Sequence, residues 1–169
     1  MFKLANLLCI FTILSIGCTP PQLPPPTWNE NTDASENEYA PYMKEGTGIL
    51  TGQAFMSQKN GGTVKGAGSN VTLDPATTVG HEWWAKAGTQ WVHRGLTPPS
   101  ANFHKLRRTT VADADGRFEF RNLPAGKYYV RTEVTWNVPY LGIQGGLVGR
   151  LIEVKETGIT DVILNQFPQ

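Results

Sequence analysis

The chain is expected to be an all-β protein, a seven-stranded antiparallel sandwich with one long, partly helical insertion. Three observations predict this. Apolar and polar residues alternate with a period of two from Gly46 onward, the mark of strands with one buried face. The 18 glycines and 12 prolines among 169 residues favour turns over long helices. Asp115-Gly116 stands between two alternating runs, which is a strong hairpin signal.

The strands follow in order. GILTGQAF, in the segment from Gly48 to Met56, reads as the first, and SQKNGGTVKGAG after it as a Gly-rich loop. NVTLDP is the second, with Val71 and Leu73 on one face and Asp74-Pro75 as its stop. LRRTTVA is the third. RFEFRN is the fourth, with Phe118 and Phe120 on one face and Arg117, Glu119 and Arg121 on the other. KYYVRTEVTW is the clearest: Tyr128, Val130, Thr132, Val134 and Trp136 face one way, and Tyr129 is the one large residue on the opposite, outer face. NVPYLGIQGG reads as a loop, and GLVGRLIEVKE and GITDVILNQF complete the set. Such a series of short strands and short turns indicates a sandwich.

Organisation ahead of the sandwich is equally legible. MFKLANLLCIFTILSIGC has a basic residue, Lys3, and then a mostly apolar run from Leu4 to Ile16. That run is too short for a membrane-spanning helix, which needs about 20 residues, and it fits a secretory signal. LSIGC resembles a bacterial lipoprotein signal, with Ser15 where leucine is usual. The resemblance implies cleavage after Gly17 and lipid attachment at Cys18; cleavage by an ordinary signal peptidase is the alternative. Residues 1–17 are thus expected to be a signal peptide, and residues 18–45 a Pro-rich, acidic, disordered tether. Residues 46–169 are expected to fold. With Cys9 discarded and Cys18 acylated, this part has no cysteine for a disulfide. Thr19 after the cysteine resembles outer-membrane sorting, so the expected location is the outer membrane, facing the periplasm or the cell surface.

The net charge of +1 argues against a nucleic-acid binder, which should carry a clear basic excess. From residue 46 there are 13 basic and 9 acidic residues, a mild excess.

The pieces TGQAF, AGSNVTLDP, TTVADADGRFEFRNLPAGKYYVRTEVTW and ITDVILN resemble the carboxypeptidase regulatory-like domains, also described as transthyretin-like or prealbumin-like sandwiches. The central pattern T-x-A-D-x-x-G-x-F-x-F-x-x-L-P-x-G-x-Y-x-V runs from Thr110 to Val130. The resemblance implies a transthyretin- or Ig-like sandwich over residues 46–166. It also implies a mostly non-catalytic role as a peptidase accessory, a sugar-binding module or a spacer in envelope proteins. Some similar Gram-positive sandwiches carry a Lys–Asn isopeptide bond; Asn165 lies in the last strand, but the first strand has no lysine.

Ala76 to Lys105 interrupts the strand pattern, and a connection of that length is usually functional or disordered. It contains HEWWAKAGTQWVH, three tryptophans and two histidines within residues 81–93. His81-Glu82 opens like the zinc-protease helix H-E-x-x-H, but Ala85 stands where the second histidine belongs. A site of His81, His93 and His104 is conceivable without a short ligand pair. Asp113, Asp115 and Gly116 begin like a calcium loop, but Asn122 stands where the distal glutamate would be. Ser69 lies in GAGS rather than in a nucleophile elbow. No catalytic residue, metal or cofactor is therefore expected.

A short helix is expected over ATTVGHEWWAKAG, capped by Asp74 or a threonine and weakened by Gly80. On it Trp83 and Trp84 point about 100° apart. Two readings of the insertion stand. In one, its aromatics pin it to the sandwich. In the other, His81, Trp83, Trp84, Trp91, His93 and Arg94 form a binding surface for a glycan or another envelope protein. Function reads first as a non-catalytic envelope lipoprotein with an interaction or structural module, then as a carbohydrate-binding module, and last as a metal-assisted hydrolase.

Overall fold

The computed structural model describes residues 36–59, 61–85 and 101–166. Two four-stranded sheets pack face to face. The first holds β1 (Gly48–Ser57), β2 (Thr63–Lys65), β5 (Arg117–Leu123) and β8 (Ile159–Leu164). The second has the order β4 (Arg108–Val111), β3 (Asn70–Pro75), β6 (Gly126–Val138), β7 (Gly142–Val154).

The expected sandwich is present, with eight strands among the described residues rather than seven. The extra strand is β2, three residues inside the Gly-rich loop, held by pairing with Phe55–Ser57 of β1. A run that short carries no period of its own; tertiary pairing makes it a strand. β1 is the hub of its sheet. It pairs antiparallel with β2 and β5, and parallel with β8 from Ile49↔Ile159 to Ala54↔Leu164. Among the described residues, one pairing of this otherwise antiparallel fold is therefore parallel. The segment expected as the loop NVPYLGIQGG is instead the end of a long hairpin, since β6 and β7 pair in register out to Val138↔Gly142.

Alternation fills the space between the sheets. Leu50, Ala54, Val71, Leu73, Val130, Val134 and Val148 are fully or almost fully buried. Phe118 and Phe120 meet edge to face, with ring centroids 6.2 Å apart. After Phe120 the alternation breaks. Leu50 pairs with Phe120 and Gly48 with Leu123, so β5 carries an extra residue there. This bulge places Asn122 at φ 56 and returns Leu123 to the core.

The turn before β5 uses the acids suspected of a calcium role. Asp113 Oδ1 accepts from the backbone N–H of Asp115 and of Arg117, each at 2.8 Å. Gly116 N–H donates to Asp113 O at 2.9 Å, with φ 74, which suits glycine. Asp115 pairs with Lys65 of β2 at 2.6 Å, which holds its carboxyl below the usual range.

The buried Tyr128 hydroxyl donates to Pro124 O at 2.9 Å and ties β6 to the preceding corner. Burial pushes the ionisation of Tyr42, Tyr128 and Tyr129 upward. A raised folded value means that the fold favours the neutral phenol. Its contribution is complete below the ordinary value near 10 and is lost as pH rises through the folded values. Absorbance titration of phenolate should show these tyrosines ionising late, together with alkaline unfolding. Tyr128→Phe should remove part of that pH dependence while lowering neutral-pH stability by about 1 kcal/mol, the typical worth of the lost hydrogen bond.

Residues 36–45, expected as the end of the tether, are docked against the sandwich. Helix α1 (Glu36–Tyr39) runs into a 3-10 turn at Ala40–Met43. Tyr39 is completely buried, and Glu38 Oε2 accepts from Thr78 N–H and Oγ1 at 2.7 and 2.8 Å. Tyr42 donates to Lys127 O at 3.0 Å and meets Tyr128 edge-on. Polar composition hid this because three aromatics or apolar residues, Tyr39, Tyr42 and Met43, are too few to show a period.

Candidate functional site

The described parts of the insertion, residues 76–85 and 101–105, pack on the outer face of the second sheet. Helix α2 (Thr78–Trp83) is capped by Thr77, whose hydroxyl accepts from Gly80 N–H at 3.1 Å. The other cap candidate, Asp74, serves elsewhere. Gly80 is not a weakness but a fitting requirement: a Cβ there would come within 2.1 Å of Pro75 O. Its absence lets the helix sit directly on the end of β3.

Val79 and Trp83 share one face, as their spacing of four requires. They join Tyr39 and Phe103 of α3 (Ala101–Leu106) in a second apolar cluster. Trp84, about a quarter-turn away, stacks on Tyr129 at 4.4 Å and 21°. His81 Nδ1 lies 2.6 Å from the Tyr129 hydroxyl. Trp83 and Trp84 are 3% and 5% exposed, so neither offers a ring face to a ligand. Both are buried because α2 lies in a corner. The sheet, through Tyr129, closes one side, and the docked N-terminal segment with α3 closes the other. The expectation that Trp83 and Trp84 form a contact surface is thereby corrected, and of that set only His81 is exposed among the described residues. Trp91, His93 and Arg94, like Cys18, lie outside the described residues.

Beneath Trp83 is a polar centre. Asp74, 2% exposed, accepts from Arg107 Nε and Nη2 at 2.6 and 2.7 Å. The Arg107 guanidinium stands 5.3 Å from the Trp83 ring and 5.4 Å from that of Phe103. Arg131 lies 5.7 Å from the Trp83 ring. Burial lowers the Arg131 pKa, and the Asp74 charge partly offsets this. Arg107 is thus turned inward as a strut. Among the described residues no group of three or more metal-ligating side chains converges.

Two of the open hollows among the described residues carry several polar side chains. One, of about 710 Å³, lies over the outer face of the first sheet and reaches past β5 to Thr110 and Val111 of β4, at the edge of the second. Register aligns Glu119, Thr51 and Asp161 in one row, and Arg117, Gln53 and Ile163 in the next. Thr51 Oγ1 donates to Asp161 Oδ1 at 2.7 Å, and Gln53 Nε2 to Asp115 O at 2.8 Å. Sequence reasoning missed this surface. Alternation marked Arg117 and Glu119 as outward-facing but not which strands are their neighbours. The other hollow, of about 550 Å³, is lined by Lys44, Lys105 and Arg108 with Glu45 and Asn122.

Fold and surfaces together define a two-sheet β-sandwich whose second sheet carries the aromatic helix α2 and whose first sheet presents an open polar face. A solved structure of a candidate carbohydrate-binding protein from Pseudomonas aeruginosa is similar. Its TM-score is 0.66 at 29% identity, over 80% of this chain and 99% of that one. A major pilin subunit of Bacillus cereus has a TM-score of 0.39 at 18% identity, over 72% of this chain and 30% of its own. A minor pilin of Streptococcus agalactiae has a TM-score of 0.36 at 12% identity, over 74% and 47%. No family profile matches the chain, and no curated protein matches it.

Proposed function

We propose that the chain is an exported, non-catalytic carbohydrate-binding module of the cell envelope, tethered through a lipidated Cys18, with its glycan site on the outer face of β1, β5 and β8. The observation that carries this reading is the open hollow over that face. It combines carboxylates (Glu119, Asp161), a guanidinium (Arg117), an amide (Gln53) and hydroxyls (Thr51, Thr110). Sugars present adjacent hydroxyls that both donate and accept, and a mixed set of this kind matches them. Exposed Ile163 and Val111 supply apolar surface for the sugar C–H faces. The similarity to a candidate carbohydrate-binding protein over nearly all of that chain supports the same reading. Resemblance of Thr110 to Val130 to the carboxypeptidase regulatory-like pattern supports a binding rather than a catalytic role.

Glycan-array binding followed by calorimetry tests this. Asp161→Ala should weaken binding about tenfold or more, since a hydrogen bond to a charged group contributes about 1.5–3 kcal/mol, and Gln53→Ala, which removes a neutral amide worth about 0.5–1.5 kcal/mol, should weaken it about two- to tenfold. Binding lost in Trp84→Ala but retained in Asp161→Ala would move the site to the insertion. Absence of binding to any glycan would sink the proposal. Palmitate labelling that is lost in Cys18→Ser tests the tether.

A further inference from the structure

The β6–β7 hairpin ends in a cluster of exposed apolar side chains that the glycan reading does not use. Residues 134–149, VTWNVPYLGIQGGLVG, contain no charged side chain, in a chain that is 17% charged. At the turn, Tyr140 is fully exposed, Leu141 is 73% exposed and Ile143 64%. The root is firm: Val134 is buried and Trp136 packs against the main core. Pairing of β6 with β3 stops at Arg131, whereas pairing with β7 continues to Val138. The tip therefore projects past the β3 edge, roughly 23 Å beyond the last β3 pair at about 3.3 Å per residue.

We propose that this tip is a membrane contact, which inserts Tyr140, Leu141 and Ile143 into the interfacial layer of a lipid bilayer. Three features favour lipid over a protein partner. The tip is convex and narrow, whereas a stable protein interface takes about 20 residues or more on each side. A fluid layer needs no matching groove, and it accepts an aromatic with one polar end, such as Tyr140, at the headgroup level. The backbone is also prepared for loss of water. Leu141 N–H donates to Val138 O at 3.1 Å, and Gln144 Nε2 donates to the carbonyls of Leu141 and Ile143 at 3.2 Å each. Unsatisfied backbone groups are what make insertion of irregular chain costly. Tyr140 also holds φ 67, an uncommon backbone for a tyrosine, with its ring wholly in solvent. Among the described residues no helix is long and apolar enough to cross a membrane, so this contact is interfacial.

The test uses the full chain with an environment-sensitive fluorescent amino acid at position 141. The same residue at position 157, in the turn at the far end of β7, is the reference. Vesicles of phosphatidylethanolamine and phosphatidylglycerol should blue-shift the probe at 141. Lipids brominated at shallow acyl positions should quench it severalfold more than the probe at 157. Ile143→Asp should abolish both effects with the far-ultraviolet spectrum unchanged. An unshifted probe at 141, or equal quenching at both positions, overturns the proposal. So does a blue shift that grows with protein concentration in the absence of vesicles, which would assign the tip to a second copy of the chain. None of these readouts depends on glycan binding.

Discussion

Asp74→Ala should destabilise the protein by about 3 kcal/mol or more, because removing one partner of a buried ion pair leaves the other charge uncompensated. Asp74 is 2% exposed and holds Arg107 through two hydrogen bonds, and its charge also acts on the half-buried Arg131. The Arg107 side chain keeps 19% of its surface, which partly relieves the loss and sets the expectation at the lower end of such effects. Urea denaturation measures it. The double variant Asp74→Ala with Arg107→Leu should be more stable than Asp74→Ala alone. If Asp74→Ala unfolds at the same midpoint as the unaltered chain, the pair is not the strut described. The exposed Lys65–Asp115 pair is the contrast: solvent screens both partners, and Asp115→Ala should leave stability nearly unchanged.

Phe103→Ala should cost about 3–5 kcal/mol, the usual range for truncating a fully buried phenylalanine. Phe103 is 0% exposed and touches Trp83, with ring centroids 6.5 Å apart. The cluster it shares with Tyr39, Val79 and Trp83 is separate from the core between the sheets. The loss should therefore be local before it is global. Hydrogen exchange should speed up in residues 36–43 and 78–85, while β6 and β7 keep their protection, as expected of a sub-global opening. Uniform loss of protection across both sheets would show that the insertion and the sandwich are one cooperative unit.

Much of the fold was legible. KYYVRTEVTW sorted its inward and outward residues correctly. Asp115-Gly116 marked a turn but not the expected hairpin: β4 before it pairs with β3 and β5 after it pairs with β1, so the chain crosses there from one sheet to the other. The helix on the insertion and a threonine cap were also legible, because capping chemistry is local. The candidate site was less so. The rings of Trp83 and Trp84 were expected to diverge, and they do, but a helix in a corner buries both directions. Gly80 looked like a breaker because the sequence does not show Pro75 O beside it. NVPYLGIQGG looked like a loop because Pro139 and three glycines outweigh alternation, yet 13 residues of β6 pair with 13 of β7 through it.

The sequence by itself determined which residues of NVTLDP, RFEFRN and KYYVRTEVTW face the core, that the chain turns at Asp115-Gly116, and that no cysteine is available to the described sandwich. These depend on neighbours within a few positions, and a period of two is enough to specify them. The tertiary structure alone decided which strands lie side by side. Thr51 and Asp161 are 110 residues apart and 2.7 Å from contact to contact, and the polar face of the first sheet exists only through that pairing. It also decided that Tyr39, Trp83 and Phe103, from three separate segments, close over Asp74 and Arg107. Alternation specifies a face but not its neighbour, and a surface made of several strands or segments becomes visible only when they meet.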